Sequence, residues 1–240
     1  MKTLDQFSFS KFHFNSDSVF SGLSEKDLDY LNSHLKTRLY KKKQVIFYED
    51  SPATGIYYIK QGLVKKYKTG NDGKEQIFYI SKTADIIGYH AILSDENYPD
   101  SAAAMEDSVI CFIPKSIFIE LVEKSPQLSN LLLKNISHEF GVLINTLTII
   151  SQMSVRQRLA LHLLLLKEKL QSPDSTVKTQ INISRDDLSA LVGTAKENLV
   201  RLLHEFKTLD IITVSGRSIV INNVKELIKE SNYQFPHRGI

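Results

Sequence analysis

The chain has 240 residues and a single cysteine, Cys111. One thiol cannot close an internal disulfide, and it cannot supply the several thiolates that a structural zinc site or an iron–sulfur cluster takes from one chain. Cys111 stands in an alternating apolar run, which favours a small buried residue over a redox sensor. The sequence therefore excludes a disulfide framework and a thiolate-rich metal site.

Long apolar runs are also missing. The longest, around Leu163–Leu166, is far too short to span a bilayer. The first residues lead into no apolar core of signal-peptide length and no small-residue cleavage site. With 42% apolar and 24% charged residues, the composition is typical of a globular protein of one or two domains. We expect a cytoplasmic protein without a membrane partner.

Arginine is scarce in most of the chain and concentrated near its end. The formal net charge is +3, yet residues 1–150 carry 17 basic and 18 acidic side chains, and residues 151–240 carry 13 and 9. Six of the seven arginines lie in the second part, and none lies from Leu39 to Val155. Because a guanidinium group suits phosphate and guanine, this distribution predicts a sensing or assembly part followed by an anion-binding part.

The first half of the chain reads as a β-protein after a helical start. Residues 1–40 are predicted mostly helical, with Ser24 and Asp27 in a capping-box pattern. Short β-rich runs follow from Gln44 to Phe112, and a hairpin turn is predicted at Asn71-Asp72-Gly73. Many short strands at this spacing indicate a sandwich or barrel.

A helical region follows Pro114. Lys115–Lys124 predicts a short helix that Ser125-Pro126 would stop, and Leu128–Ile150 predicts a long one. Apolar residues of the long helix recur every three or four positions, as in a coiled-coil seam. Such a seam can pack on its own domain or pair with a second copy, and we favour pairing. Its residues are Leu132, Ile136, Phe140, Leu143, Leu147 and Ile150.

The last ninety residues have the pattern of a winged helix-turn-helix. We predict a helix over 155–170, a strand over 179–183, helices over 184–191 and 194–207, and strands over 211–214 and 218–221. The second of the two short helices has a polar outer face. There Arg201 can donate two hydrogen bonds to guanine, and Glu197 can accept one from cytosine. The predicted DNA-contacting residues are Ser184, Thr194, Lys196, Glu197, Asn198, Arg201, His204 and Arg217.

Two other interpretations of this region stay open. Thr194 and Glu197 also fit a capping box, so Glu197 could simply satisfy backbone N–H groups. The winged helix could instead serve as a protein contact in a ligand-binding or interaction module that does not read DNA.

An enzyme is not predicted, because His162 and His204 have no nucleophile or paired carboxylates at a catalytic spacing.

Leu191–Leu203 is similar to the helix-turn-helix of the cyclic-AMP receptor protein/FNR (Crp/Fnr) family of bacterial transcription regulators. Tyr57–Val64 and Asp72–Glu75 resemble the β-roll of that family, and the likeness runs from about Lys43 to Asn222. The resemblance implies an α+β fold with an N-terminal cyclic-nucleotide-binding-like β-roll (jelly roll), a long dimerisation helix and a C-terminal winged helix-turn-helix. The implied domains are 1–124, 125–152 and 153–240.

The resemblance also implies partners. It implies a homodimer paired through helix 128–150, with two recognition helices in successive major grooves of a pseudo-palindromic double-stranded operator, ~34 Å apart. A hinge is expected near Ser151–Ser154. The loop Lys169–Lys178 resembles the place where family members contact RNA polymerase.

In the family's phosphate cassette, a glutamate holds the ribose and an arginine neutralises the cyclic phosphate. Here Gly88 and Ser101 match, but the glutamate is replaced by Tyr89 and the arginine by Asp100. An aspartate repels a phosphate. The long-helix positions that resemble the family's base contacts read Leu143-Ile144. We therefore predict that cyclic nucleotide does not bind.

No other cofactor or metal is predicted. An FNR-type iron–sulfur cluster needs more thiolates than Cys111 supplies, and one histidine, His90, is a weak basis for haem ligation. The effector pocket would then take an uncharged or cationic molecule or be filled by its own side chains. Its predicted residues are Tyr57, Tyr79, Gly88, Tyr89, His90, Asp100, Ser101 and Leu143.

Overall fold

The computed structural model describes residues 9–14, 16–171 and 179–233. They group into two compact units. The first is Phe14–Val142, and the second comprises the described residues of Met1–His13 and Leu143–Ile240. Among these residues, no helix has both the length and the apolarity that a membrane crossing needs.

The first unit is built on two antiparallel four-stranded sheets, ordered β1-β8-β3-β6 and β2-β7-β4-β5. This arrangement confirms the predicted β-roll. Apolar side chains of both sheets form one core, in which the rings of Phe47 and Tyr98 stack 4.2 Å apart. The strands are β1 Lys36–Tyr40, β2 Val45–Phe47, β3 Gly55–Gln61, β4 Leu63–Thr69, β5 Glu75–Lys82, β6 Ile86–Ile87, β7 Ser101–Ala104 and β8 Ser108–Pro114.

Helices pack around this roll and form a second core of the first unit. Phe118 and Leu128 are fully buried there together with Leu31. The predicted end of the short helix at Ser125-Pro126 is confirmed, since this helix ends at Lys124. The long helix begins at Pro126, two residues before the predicted start, because a missing N–H costs nothing in a first turn. The helices are α1 Glu25–His34, α2 Tyr89–Ser94, α3 Lys115–Lys124 and α4 Pro126–Gln152, with a 3-10 turn at Ser16–Gly22. The residues of α4 from Leu143 onward and the 3-10 turn Phe9–Phe12 belong to the second unit.

The prediction that residues 1–40 are mostly helical is wrong at its end. Leu35 is extended, and Lys36–Tyr40 forms the edge strand β1. Arg38 pairs with Ile110 of β8 in antiparallel register. Local periodicity could not reveal this pairing, because its partner lies about seventy residues away.

The predicted seam of α4 is wrong in its first part. Leu132 is buried and Ile136 packs against the core of the first unit, so neither is available to a second copy. Leu133 lies on the exposed side instead, with 63% of its surface accessible. The exposed stripe of α4 consists of Leu133, Phe140, Leu143, Ile144, Leu147 and Ile150.

The second unit contains the predicted winged helix-turn-helix, in which a three-stranded sheet is ordered β10-β11-β9. Its last helix was not predicted from the sequence. Residues 172–178 of the proposed polymerase-contacting loop lie outside the described residues. The elements are α5 Val155–Lys169, β9 Gln180–Asn182, α6 Arg185–Val192, α7 Lys196–Thr208, β10 Ile212–Ser215, β11 Ser218–Ile221 and α8 Val224–Ser231.

Candidate nucleic-acid interface

The turn between α6 and α7 is fixed by local hydrogen bonds. The hydroxyl of Ser184 accepts from the N–H of Asp187 at 3.0 Å and caps α6. Gly193 ends α6 in the left-handed conformation, φ 71°, which glycine adopts at little cost. These contacts set the direction in which α7 leaves the turn.

The capping-box interpretation of Thr194 and Glu197 is wrong. The N-cap of α7 is Ala195, which provides no side-chain cap. The hydroxyl of Thr194 instead accepts from the Nδ2 of Asn198 at 3.0 Å. Glu197 is consequently exposed in the first turn of α7.

The two faces of α7 differ sharply. Its inner face is buried through Leu199, Leu202, Leu203 and Phe206. Its outer face exposes Lys196, Glu197, Arg201 and His204, together with Val200, which is 48% accessible. Val200 was not among the predicted contacts, although it lies three residues after Glu197 and four before His204, a spacing that places all three on one helix face.

Arg201 is held in place by its neighbours. It donates to the Oδ1 of Asn198 at 2.8 Å and forms an ion pair with Glu205. The other carboxylate oxygen of Glu205 lies 2.6 Å from Arg156 of α5, which also pairs with Glu230 of α8 at 2.5 Å. The Arg156 guanidinium holds the pKa of Glu230 below its usual value. The i,i+4 spacing from Arg201 signals Glu205, but nothing local signals Arg156 or Glu230.

Two further contacts join the parts of the winged helix. Lys196 lies 2.7 Å from Asp186 of α6, in an exposed pair that contributes little stability. Arg185, absent from the sequence analysis, donates to the carbonyl of Gly216 at the wing tip at 2.8 Å. Arg217 stands exposed beside that tip. Guanidinium groups therefore flank both the start of α6 and the wing.

A buried arginine supports the turn from behind. Arg158 of α5 is 9% exposed, and burial lowers the pKa of its guanidinium. It donates to the carbonyls of Val192 at 2.7 Å, Gly193 at 2.9 Å and Met153 at 2.9 Å. Since two of those carbonyls belong to the turn between α6 and α7 and the third to the residue after α4, one side chain holds both backbone segments in place. No local sequence pattern signals this role.

Several residues of the predicted effector pocket contact other side chains of the first unit. Lys66 and Asp100 form a buried ion pair at 3.1 Å, and the ring of Phe14 stacks on Tyr79 at 3.7 Å. Such contacts already use the polar and aromatic groups that a ligand would need.

Glu139 of α4 joins a second buried cluster in this region. The hydroxyl of Tyr89 donates to Glu139 at 2.5 Å, and the Nε2 of His90 lies 2.5 Å from its other oxygen. Burial raises the pKa of Tyr89, and the Glu139 carboxylate adds to this, so the phenol remains a donor. His90 is thus engaged by a carboxylate.

The remaining predicted pocket residues do not converge on one site. Gly88 precedes α2 as its N-cap, and the Ser101 hydroxyl accepts from the N–H of Glu49 at 2.9 Å. Tyr57 packs between Phe47 and Phe112 in the core of the roll. Leu143 is 43% exposed and belongs to the second unit.

These residues do not fit a cyclic nucleotide. Asp100 puts a negative charge where the resemblance implies the phosphate, and the nearby cation Lys66 is already paired with Asp100. They do not fit an iron–sulfur cluster either, since Cys111 is the one cysteine and is buried with its sulfur 3.3 Å from the Thr37 hydroxyl. Among the described residues, no group of His, Cys, Asp and Glu could hold a metal ion.

Comparisons with known proteins agree with this architecture. Residues 37–125 match the model of the cyclic nucleotide-binding domain, and residues 157–230 match that of the Crp-like helix-turn-helix domain. The regulatory protein HlyX of Actinobacillus pleuropneumoniae is 30% identical over 207 residues, which cover 85% of this chain and 86% of that protein. The fumarate and nitrate reduction regulatory protein of Vibrio cholerae is 29% identical over 209 residues, covering 86% and 83%.

A solved structure shows the same fold. FixK2 from Bradyrhizobium japonicum superposes with a TM-score of 0.71 at 22% identity, over 84% of this chain and 99% of that one. These relatives are regulators and not enzymes, and the resemblance inferred from the sequence is confirmed. The chain belongs to the Crp/Fnr family of transcription regulators.

Proposed function

We propose that this regulator is a homodimer that reads a pseudo-palindromic DNA operator through α7 and does not respond to cyclic AMP. Regulators of this family bind DNA and typically act as dimers. The observation that carries the proposal is the exposed polar face of α7, on which Arg201 is oriented by Glu205 and Asn198.

The proposed contacts follow from hydrogen-bonding capacity. Arg201 would donate two bonds to guanine O6 and N7, and Glu197 would accept from cytosine N4. Val200 would meet a thymine methyl group. Lys196 and Asn198 would contact phosphate or a base edge, and the phosphates would also be held by Ser184, Thr194, His204 and Arg217.

The exposed stripe of α4 supports the dimer. A contiguous apolar face on a long helix is stabilised when a second copy buries it. The two recognition helices would then reach half-sites about one helical turn, ~34 Å, apart. A change at Ser151–Ser154, where α4 gives way to α5, would alter that spacing. We also propose that the Lys169–Lys178 loop contacts RNA polymerase and that the protein acts in the cytoplasm.

Substitution of Arg201 by alanine tests the assignment. Loss of a bidentate base contact costs about 1–3 kcal/mol, so we expect binding to a selected operator to fall by about ten- to a hundredfold. Weak, salt-sensitive binding to random DNA should persist, since phosphates supply it. Fluorescence anisotropy with both DNAs over a salt series measures the ratio of the affinity for the operator to the affinity for random DNA.

The matched control is Lys207→Ala, an exposed cation in the last turn of the same helix. It should change binding to both DNAs alike and leave their ratio intact. An unchanged ratio in Arg201→Ala would contradict the assignment. Wild-type chain that never enriches a DNA sequence would favour the alternative of a protein-interaction module.

A further inference from the structure

A cleft of about 320 Å³ opens beside the edge strand β1, and Asp100 is not among its lining residues. Its volume falls within the range of small-ligand sites. Strands β1, β3 and β8 of one sheet contribute to it, together with Thr54 of the loop before β3. The lining residues are Lys36, Thr37, Arg38, Tyr40, Thr54, Tyr57, Ile110 and Phe112.

The strand register places two cations on the core-facing side of this sheet. Residues directly paired across strands point to the same face. Arg38 pairs with Ile110, Lys36 pairs with Phe112, and Phe112 pairs with Tyr57. Because Ile110 and Tyr57 are buried in the core of the roll, Lys36 and Arg38 extend the same face at its open edge.

The charges of the cleft are unbalanced. No acidic residue occurs among the described residues that line it. Within the described part of the chain, neither Lys36 nor Arg38 forms an ion pair. An arginine fork beside a lysine favours a carboxylate or phosphate group, which it can bind through two parallel hydrogen bonds.

The opposite wall of the cleft is aromatic. The rings of Tyr57 and Phe112 lie 5.2 Å apart at 55°, with Ile110 beside them. Such a wall accepts a flat ring by offset or edge-to-face packing. Burial raises the pKa of Tyr57, so its hydroxyl remains protonated.

We propose that this cleft binds a small organic anion in which a carboxylate or phosphate is attached to a planar ring. The anionic group would lie at Arg38 and Lys36, and the ring would pack against Tyr57 and Phe112. The site shares Tyr57 with the predicted effector pocket, but none of the other predicted pocket residues lines it. It also stands apart from DNA recognition, so loss of either proposal leaves the other intact.

Ligand-observed NMR on the full chain tests the proposal with benzoate and phenyl phosphate as probes. Benzyl alcohol and benzylamine serve as neutral and cationic comparators of similar shape. We expect saturable binding of one or both anions, and at least tenfold weaker binding of the two comparators. The probe that binds more tightly identifies the preferred anionic group.

Variants connect the binding to the cleft. Arg38→Gln should weaken binding of the anion at least tenfold, and Arg38→Lys should weaken it less because the charge remains. The matched control is Lys42→Gln, an exposed cation in the turn after β1 that does not line the cleft. It should leave the affinity unchanged.

Three results would overturn the proposal. The first is the absence of saturable binding by either anion, and the second is equal binding of benzyl alcohol. The third is an Arg38→Gln variant that keeps its affinity for the anion. If that variant also self-associates in sedimentation, the two cations protect an edge strand from pairing with other chains and serve no ligand.

Discussion

The roll and the winged helix use their charged side chains in opposite ways. In the roll, the side chains of Lys66 and Asp100 are 7% and 5% exposed and satisfy each other. On α7, the side chain of Arg201 is 62% exposed and is oriented by Glu205. Both regions keep the family fold, but the buried pair of the roll is satisfied internally, whereas Arg201 presents its guanidinium on an exposed helix face. Fold therefore transfers across the family more readily than ligand chemistry does.

The interior of the winged-helix unit sharpens this contrast. Its buried cation, Arg158, is satisfied by backbone carbonyls and not by a carboxylate. The arginine thereby stabilises the turn that directs α7 without adding an acidic group near DNA. In this unit the buried charge is structural, and the exposed charge is available for recognition.

The largest expected effect breaks the pair inside the roll. Lys66→Met leaves Asp100 buried without its partner, which should lower the free energy of unfolding of the roll by about 3 kcal/mol. Chemical denaturation followed by tyrosine fluorescence measures this, since the chain has no tryptophan. The double variant Lys66→Met/Asp100→Leu removes both charges and should recover most of the loss. A single variant as stable as the wild type would show that the pair is not buried as described.

The sequence predicted most of the strands and the exposed face of α7, but it did not predict the buried contacts of Lys66 and Arg158. Alternating runs predicted β3, β4 and β5, and the helix-turn-helix pattern predicted the inner and outer faces of α7. The strand Ser101–Ala104 was missed because three of its four residues are alanines, which have low strand propensity. The ion pair of Lys66 with Asp100 and the contacts of Arg158 with Val192 and Gly193 join residues more than thirty positions apart, so no local pattern reports them.

A smaller effect is expected from protonation of His162, which would add a second positive charge near Arg158 inside the winged-helix unit. Burial lowers the pKa of His162 on α5 to about 4, and Arg158 adds to the shift. The unfolded chain, with an ordinary pKa near 6.5, then binds more protons between pH 6.5 and pH 4. The free energy of unfolding should therefore fall by about 2–3 kcal/mol as the pH is lowered through this window.

Amide hydrogen exchange of α5 as a function of pH, corrected for intrinsic rates, measures that slope. His162→Gln should flatten it, whereas His204→Gln, on the exposed face of α7, should keep it. A wild-type slope that survives in His162→Gln would assign the pH dependence to other groups.

The smallest effect concerns the support of Arg201. Glu205→Gln removes the charge that orients the guanidinium, and we expect the ratio of operator to random DNA binding to fall about threefold, in keeping with the modest energy of an exposed i,i+4 pair. Glu226→Gln on α8 is the matched control, because its carboxylate pairs with Lys229 and not with Arg201. A ratio that rises in Glu205→Gln would show that Glu205 restrains Arg201 from the bases.

Selection of DNA from a random pool by the full wild-type chain, with and without cyclic AMP, tests the central claim most directly. The account predicts enrichment of the same inverted repeat in both pools, with a G·C pair in each half-site that Arg201→Ala no longer selects. Enrichment that requires cyclic AMP, or no enriched repeat in either pool, would contradict it.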